Sequence, residues 1–101
     1  MFEKVNEQIQ VIVNFTLSRP IPLLIIWKGK KFQITHVNFT HISHEGKTPL
    51  VHFAVSTKKE AFNITFNTHE LTWQLDEIFF EGFFRGGSLN EPTYAKNYLS
   101  H

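Results

Sequence analysis

Three runs of alternating apolar and polar side chains follow one another in residues 51–75, VHFAVSTKKEAFNITFNTHELTWQL. Alternation with a period of two residues is typical of a β-strand that buries one face. The segments between the runs, at residues 57–59 and 67–70, have the length and composition of turns. Because turns this short join neighbouring strands, this stretch predicts an antiparallel β-meander.

The same alternation extends toward the amino terminus. Ile9 to Leu17 alternates, the two prolines after Arg19 interrupt the pattern, and Leu23 to Trp27 is apolar on both faces. A strand of that last kind is covered on both sides, here by the carboxyl-terminal tail or by another subunit. The apolar phase then shifts by one residue near Thr35 and His36, which predicts a β-bulge or a sharp bend.

These runs predict an all-β, single-domain antiparallel meander of about six strands, curled into a small barrel or a strongly twisted half-barrel. We assign residues 1–81 to this domain. Residues 82–101, a glycine-containing aromatic tail, are expected to form either a short docked helix beginning near Asn90 or a flexible tail.

Composition narrows the class of protein. A chain of 101 residues forms one domain, and its 11 Phe, 2 Trp and 2 Tyr suit a pleated, half-buried surface. The absence of cysteine excludes a disulfide scaffold, a thiol nucleophile and a cysteine-based metal site. We find neither a signal peptide nor an apolar run long enough for a membrane helix, so we expect a cytoplasmic protein without a membrane partner.

Much of the aromatic excess falls on one predicted face of the sheet. We expect these rings to form the core, or, if the barrel interior is open, to line a pocket for an apolar or planar ligand. The rings in question are Trp27, Phe39, Phe53, Phe62, Phe66 and Trp73.

Five lysines occupy two turns that a meander places at the same end of the sheet. A cluster of this kind could bind the phosphates of a nucleic acid, with aromatic rings to stack on exposed bases. The acids Glu60, Asp76, Glu77 and Glu81 are expected at the same end, however, so a solvated turn with mixed charges is the alternative. The lysines are Lys28, Lys30, Lys31, Lys58 and Lys59.

The histidines offer the only candidates for a metal site. His41, His44 and His69 are expected at the opposite end, with Glu45 and Glu70. Their spacing matches no known zinc motif, so we expect no metal and no cofactor. His36 and His52 are expected on an outer face of uncharged polar side chains that include Thr65 and Gln74, and no nucleophile or acid–base pair can be placed beside them. We therefore expect a protein that is not an enzyme.

Charge and the remaining aromatic residues favour a binding role. Residues 19–59 carry seven bases and one acid, whereas residues 60–91 carry six acids and one base. Opposed charge blocks and a strand with two apolar faces are typical of a self-associating module or one that binds a protein partner. We expect the partner surface at Phe79, Phe80, Phe83, Phe84, Tyr94 and Tyr98. A nucleic-acid-binding accessory domain that uses the lysine turns is the alternative.

The order of these motifs resembles a small bacterial family of uncharacterised β domains. The resemblance rests on Trp27-Lys-Gly-Lys-Lys-Phe32, on paired strands, and on Trp73-x-Leu75-x-x-Ile78, and it covers roughly residues 20–80. It implies a β domain of unknown function, found alone or attached to proteins similar to DNA-repair polymerases. The family is rich in arginine, whereas this chain has fewer charges and most of its bases are lysines.

Overall fold

A computed structural model describes residues 2–16 and 19–80, and the tail predicted at residues 82–101 lies outside them. The described residues form one antiparallel sheet with strand order β3-β2-β1-β7-β6-β5-β4 and contain no helix. None of them therefore belongs to a helix that could span a membrane. The strands are β1 (Phe2–Thr16), β2 (Arg19–Trp27), β3 (Lys30–Gln33), β4 (His36–Glu45), β5 (Thr48–Ser56), β6 (Glu60–Asn67) and β7 (Thr72–Phe80).

Two hairpins are closed by two-residue turns that need left-handed backbone conformations. Lys28 and Gly29 have φ angles of 54° and 75° between β2 and β3, as a type I′ turn requires. Gly46, with φ of 63°, begins the turn between β4 and β5. These turns fix the pairs Trp27 with Lys30 and Glu45 with Thr48, and through them the register of both hairpins.

The predicted meander is confirmed within β1–β3 and within β4–β7, but the two meanders are joined through the first strand. β1 pairs with β7 from Phe2 to Ile9 and with β2 from Gln10 onward. A register irregularity between Lys4 and Glu7, where Asn6 has φ of 51°, interrupts the first of these pairings. A strand of 15 residues is long enough to serve two neighbours in succession, so it lies inside the sheet.

Of the two predicted shapes, a barrel or a half-barrel, the closed barrel is wrong, because β3 and β4 remain the two edges of the sheet. The predicted third strand, with its bend near Thr35, is in fact two strands, which raises the count to seven. At the bend, Ile34 donates its backbone N–H to the carbonyl of Leu23 over 3.0 Å, and Thr35 donates to Ser56 over 2.8 Å. The chain thus leaves β2 at this point and joins β5.

Both meanders contribute to a single core. Ile25 of β2 is completely buried, and Phe32 of β3 packs edge-on against Phe62 of β6 with ring centroids 5.2 Å apart. The first meander therefore packs its apolar side chains with those of β4–β7. The buried cluster consists of Ile9, Ile25, Phe53, Val55, Phe62, Ile64, Phe66, Trp73, Leu75 and Ile78.

Two predictions about buried side chains fail. Phe39 is 60% exposed, because a register irregularity between Val37 and Phe39 moves it to the face opposite the core. Leu23 is also exposed, although it lies on the strand that was expected to be covered on both sides. Trp27 is half-buried and packs against the core.

Candidate functional site

Polar side chains line up across the outer face of β4–β7. The register places His52 of β5 directly between His41 of β4 and Thr65 of β6, and Thr65 opposite Gln74 of β7. Residues directly opposite each other on antiparallel strands point to the same face, so these side chains are neighbours. The alternation that buries Phe53 and Ile64 on one side therefore builds a polar row on the other.

The row is connected by hydrogen bonds. His52 Nε2 lies 2.6 Å from Ser43 Oγ, and His52 Nδ1 lies 2.9 Å from Thr65 Oγ1. Thr65 Oγ1 donates to Asp76 Oδ2 over 2.5 Å. Gln74 donates to the other oxygen of the same carboxylate over 2.9 Å. One chain of hydrogen bonds thus runs over four strands, from Ser43 to Asp76.

A β-bulge lies at Asp76, the last member of this chain of hydrogen bonds. Asn63 pairs with Glu77, while the next residue, Ile64, pairs with Leu75, so Asp76 is the extra residue. In the sequence the bulge corresponds to a change of apolar phase, from Trp73 and Leu75 to Ile78 and Phe80. Asp76 and Glu77 lie in the middle of β7 and do not line the cleft that holds three of the lysines, so the expectation that they lie at the lysine end is wrong.

His52 is held in a fixed environment. The ring of His41 stacks on it with centroids 4.5 Å apart and an interplanar angle of 17°. The pKa of His52 lies below its ordinary value, first because burial disfavours the charged ring and then because His41 is close, while Asp76 opposes both effects. The row therefore favours a neutral imidazole.

A cavity of about 350 Å³ lies beside His52 on this face. Its walls include the aromatic side chains of Phe39 and His41 and the carboxylates of Asp76 and Glu77. Asn63, which also lines it, donates to Glu77 over 2.7 Å. The cavity has both an apolar and an acidic wall, so it favours neutral or cationic groups over anions.

The edges of the sheet differ in their chemistry. β3 has only four residues, and two of them are lysine. Short length and lysine side chains both hinder an edge strand from pairing with another chain. β4 has ten residues and contains neither lysine nor proline. Along it Val37 is 41% exposed, and Phe39 and Ile42 are each 60% exposed.

Only some of the predicted lysine cluster comes together. Lys31, Lys58 and Lys59 line one cleft of about 620 Å³ together with Phe32 and the acid Glu60. Lys28 instead lies over the Trp27 ring, 4.9 Å from its centroid. Lys30 is exposed on β3 but is not part of the cleft wall.

The metal candidates are not brought together. His41 stacks on His52, His44 pairs with Pro49 near the end of β4, and His69 lies in the turn after β6. Glu45 and Glu70 do share a cavity wall, as their predicted common end implies. Within residues 2–16 and 19–80, no three His, Asp or Glu side chains are arranged to hold a metal ion.

Two residues of the predicted aromatic partner surface can be placed. Phe80 packs against the core, and the ring of Phe79 lies 5.2 Å from that of Phe2. The other members, Phe83, Phe84, Tyr94 and Tyr98, lie outside the described residues.

The sequence alone places some members of the polar row on the outer face, but not all of them. His52, Thr65 and Gln74 were expected on the outer face, because they alternate with core positions. Ser43 and Asp76 were not assigned to it, since their contacts with His52 and Thr65 depend on the register of neighbouring strands. The alternation of Ser43 with His41 was the available signal.

Comparison of the chain with models of protein families, with curated proteins and with solved structures found no match.

Proposed function

We propose that this protein is an interaction module that associates with a second copy of itself through the open edge of β4. The observation that supports this proposal is a ten-residue edge strand without lysine or proline, on which Val37, Phe39 and Ile42 are exposed. An edge strand presents a row of backbone N–H and C=O groups without strand partners, and such a strand binds another strand by extending the sheet.

Side chains on both faces of β4 support the pairing. Phe39 and His41 lie on the outer face with Ala54 and His52, whereas Ile42 pairs with Val51 and lies on the core face. A second strand alongside β4 would therefore cover apolar side chains above and below the joined sheet. Cross-strand pairs of this kind each stabilise a sheet by about 0.2–1 kcal/mol.

The composition of β4 suits an identical partner. Its single charged residue other than histidine is Glu45, at the strand end, so two antiparallel copies place no acid or lysine at the centre of the contact. Antiparallel pairing of one strand with its own copy has twofold symmetry, which closes the assembly at a dimer. Because β3 carries Lys30 and Lys31, the other edge does not extend the assembly further.

A pair of matched lysine substitutions tests the proposal. Ile42→Lys introduces a charge on the open edge, whereas Ile12→Lys introduces it on β1, which pairs with β2 at that residue and lies four strands away from β4 in the order of the sheet. The two isoleucines are similarly exposed, at 60% and 51%. In sedimentation velocity over a concentration series, we expect the wild type and Ile12→Lys to dimerise and Ile42→Lys to bind at least about tenfold more weakly, a loss of about 1.4 kcal/mol.

The proposal fails if the wild type is monomeric at every concentration. It also fails if the two substitutions weaken the dimer equally, because the contact would then not depend on β4. Circular dichroism of both variants shows whether each retains the wild-type fold.

The cleft of Lys31, Lys58 and Lys59 supports a second candidate function, binding of a nucleic acid. Three lysines around one concave surface can neutralise phosphates, but Phe32 already packs against Phe62, and Glu60 lies in the same cleft. Titration of labelled single-stranded oligonucleotides at increasing salt tests this candidate. Binding at low salt that is lost in the variant Lys31→Ala/Lys58→Ala/Lys59→Ala supports it, and the absence of binding at low salt excludes it.

A further inference from the structure

The hydrogen bonds of the polar row fix the position of each proton along it. The Asp76 carboxylate accepts, so the single hydroxyl hydrogen of Thr65 is used in the bond to Asp76. Thr65 Oγ1 can then only accept from His52, which places the ring proton on Nδ1. His52 Nε2 is left with a lone pair, and the Ser43 hydroxyl donates to it over 2.6 Å.

A base-activated serine requires this arrangement. Its hydroxyl donates to one nitrogen of an imidazole, and the other nitrogen of the ring is held in place by a group that is itself hydrogen-bonded to a carboxylate. We propose that Ser43 is a nucleophile activated by His52, and that it accepts an acyl group from a small neutral ester. Thr65 and Asp76 act as positioning residues, since they hold the tautomer of His52 and touch no reacting atom.

The reaction balances with the groups present. Ser43 Oγ bonds to the carbonyl carbon of the ester as its proton passes to His52 Nε2. The bond from that carbon to the leaving oxygen then breaks, and the leaving oxygen takes the proton from His52. The products are an ester on Ser43 and an alcohol, without oxidation or reduction.

The surroundings of His52 support this chemistry and limit the donor. Stacking of His41 at 4.5 Å restricts the orientation of the ring, and the lowered pKa of His52 keeps the base unprotonated near neutral pH. The cavity of about 350 Å³ beside His52 does not include Ser43 in its wall, but Asp76 and Glu77 line it, and their charges disfavour an anionic donor near the imidazole. We infer a stoichiometric modification of Ser43. Because Ser43 lies on β4, whose open edge the proposed dimer would cover, its labelling is measured at a concentration at which the protein is monomeric.

Labelling with an alkyl fluorophosphonate tests this inference, because the probe reacts with activated hydroxyls, and peptide mass spectrometry locates the adduct. We expect an adduct on Ser43 of the folded wild type and none there after denaturation. His52→Gln should slow labelling by about 100-fold or more, the usual contribution of a general base. Asp76→Asn should also slow labelling. The amide of asparagine can donate to Thr65, so the Thr65 hydroxyl is free to donate to His52 and no longer fixes the ring proton on Nδ1.

A substitution at a second serine provides the control. Ser56 is buried and accepts a hydrogen bond from Asn38, so it lies outside the polar row. In the variant Ser56→Ala, Ser43 should therefore be labelled at the wild-type rate. The labelling rate of the wild type should also rise with pH as His52 loses its proton. The proposal is overturned if Ser43 carries no adduct in the folded protein, or if His52→Gln, folded by circular dichroism, labels as fast as the wild type.

Discussion

Replacement of Ile25 by alanine tests whether the two meanders share one core. Ile25 lies on β2 of the first meander, is completely buried, and belongs to the same cluster as Phe62 and Leu75 of the second. The substitution removes three carbon atoms, which corresponds to about 2.4 kcal/mol of transfer free energy at about 0.8 kcal/mol for each methylene group. The cavity left behind raises the expected loss in the free energy of unfolding to about 3–4 kcal/mol.

Urea denaturation measures this loss, and Ile26→Ala is the matched control. Ile26 is the next residue of the same strand, faces away from the core and is only half-buried, so its replacement should cost about 1 kcal/mol or less. Trp27 on β2 and Trp73 on β7 report on the two meanders separately when the other tryptophan is replaced by phenylalanine. A single core predicts coincident transitions for both probes. Equal costs for Ile25→Ala and Ile26→Ala, or two separate transitions, would refute the shared core.

Two further predictions concern the polar row and the turns. NMR titration should give His52 a pKa below its ordinary value of 6.5, lower still in Asp76→Asn and higher in His41→Asn. Because folding depresses this pKa, the contribution of His52 to stability is complete above pH 6.5 and is lost as pH falls through the folded pKa, which urea denaturation at several pH values checks. Gly29→Ala should destabilise the fold by about 1–2 kcal/mol in the same assay, because alanine at φ of 75° is strained although no atom lies within 4 Å of the added carbon. Lys30→Ala, one residue further, should change stability by less than about 0.5 kcal/mol, and an equal loss in both variants would contradict the backbone explanation.

The sequence was sufficient for the strands that alternate without interruption. Phe53, Phe62, Phe66 and Trp73 were all expected in the core and are buried there, because period-two alternation directly determines which face of a strand a residue occupies. Gly29 and Gly46 stand between apolar runs in the sequence, and a two-residue turn with a left-handed conformation selects glycine at such positions.

Features that depend on pairing could not be predicted in this way. Phe39 and Glu77 both change face at register irregularities, and a bulge adds a residue that one strand's alternation does not locate. Whether the sheet closes depends on the chain path at Ile34 and Thr35, where the backbone leaves one neighbour for another. The row from Ser43 to Asp76 combines four strands, so it follows only from their register.

The most direct test of the proposed self-association is amide hydrogen exchange measured at low and at high protein concentration. Pairing through β4 predicts that amides within His36–Glu45 exchange more slowly at the high concentration, because a second strand then accepts their hydrogen bonds. The lysine-bearing edge Lys30–Gln33 is the internal control, and its exchange should be the same at both concentrations. Exchange along β4 that does not depend on concentration, or slowing confined to other strands, would contradict the proposal.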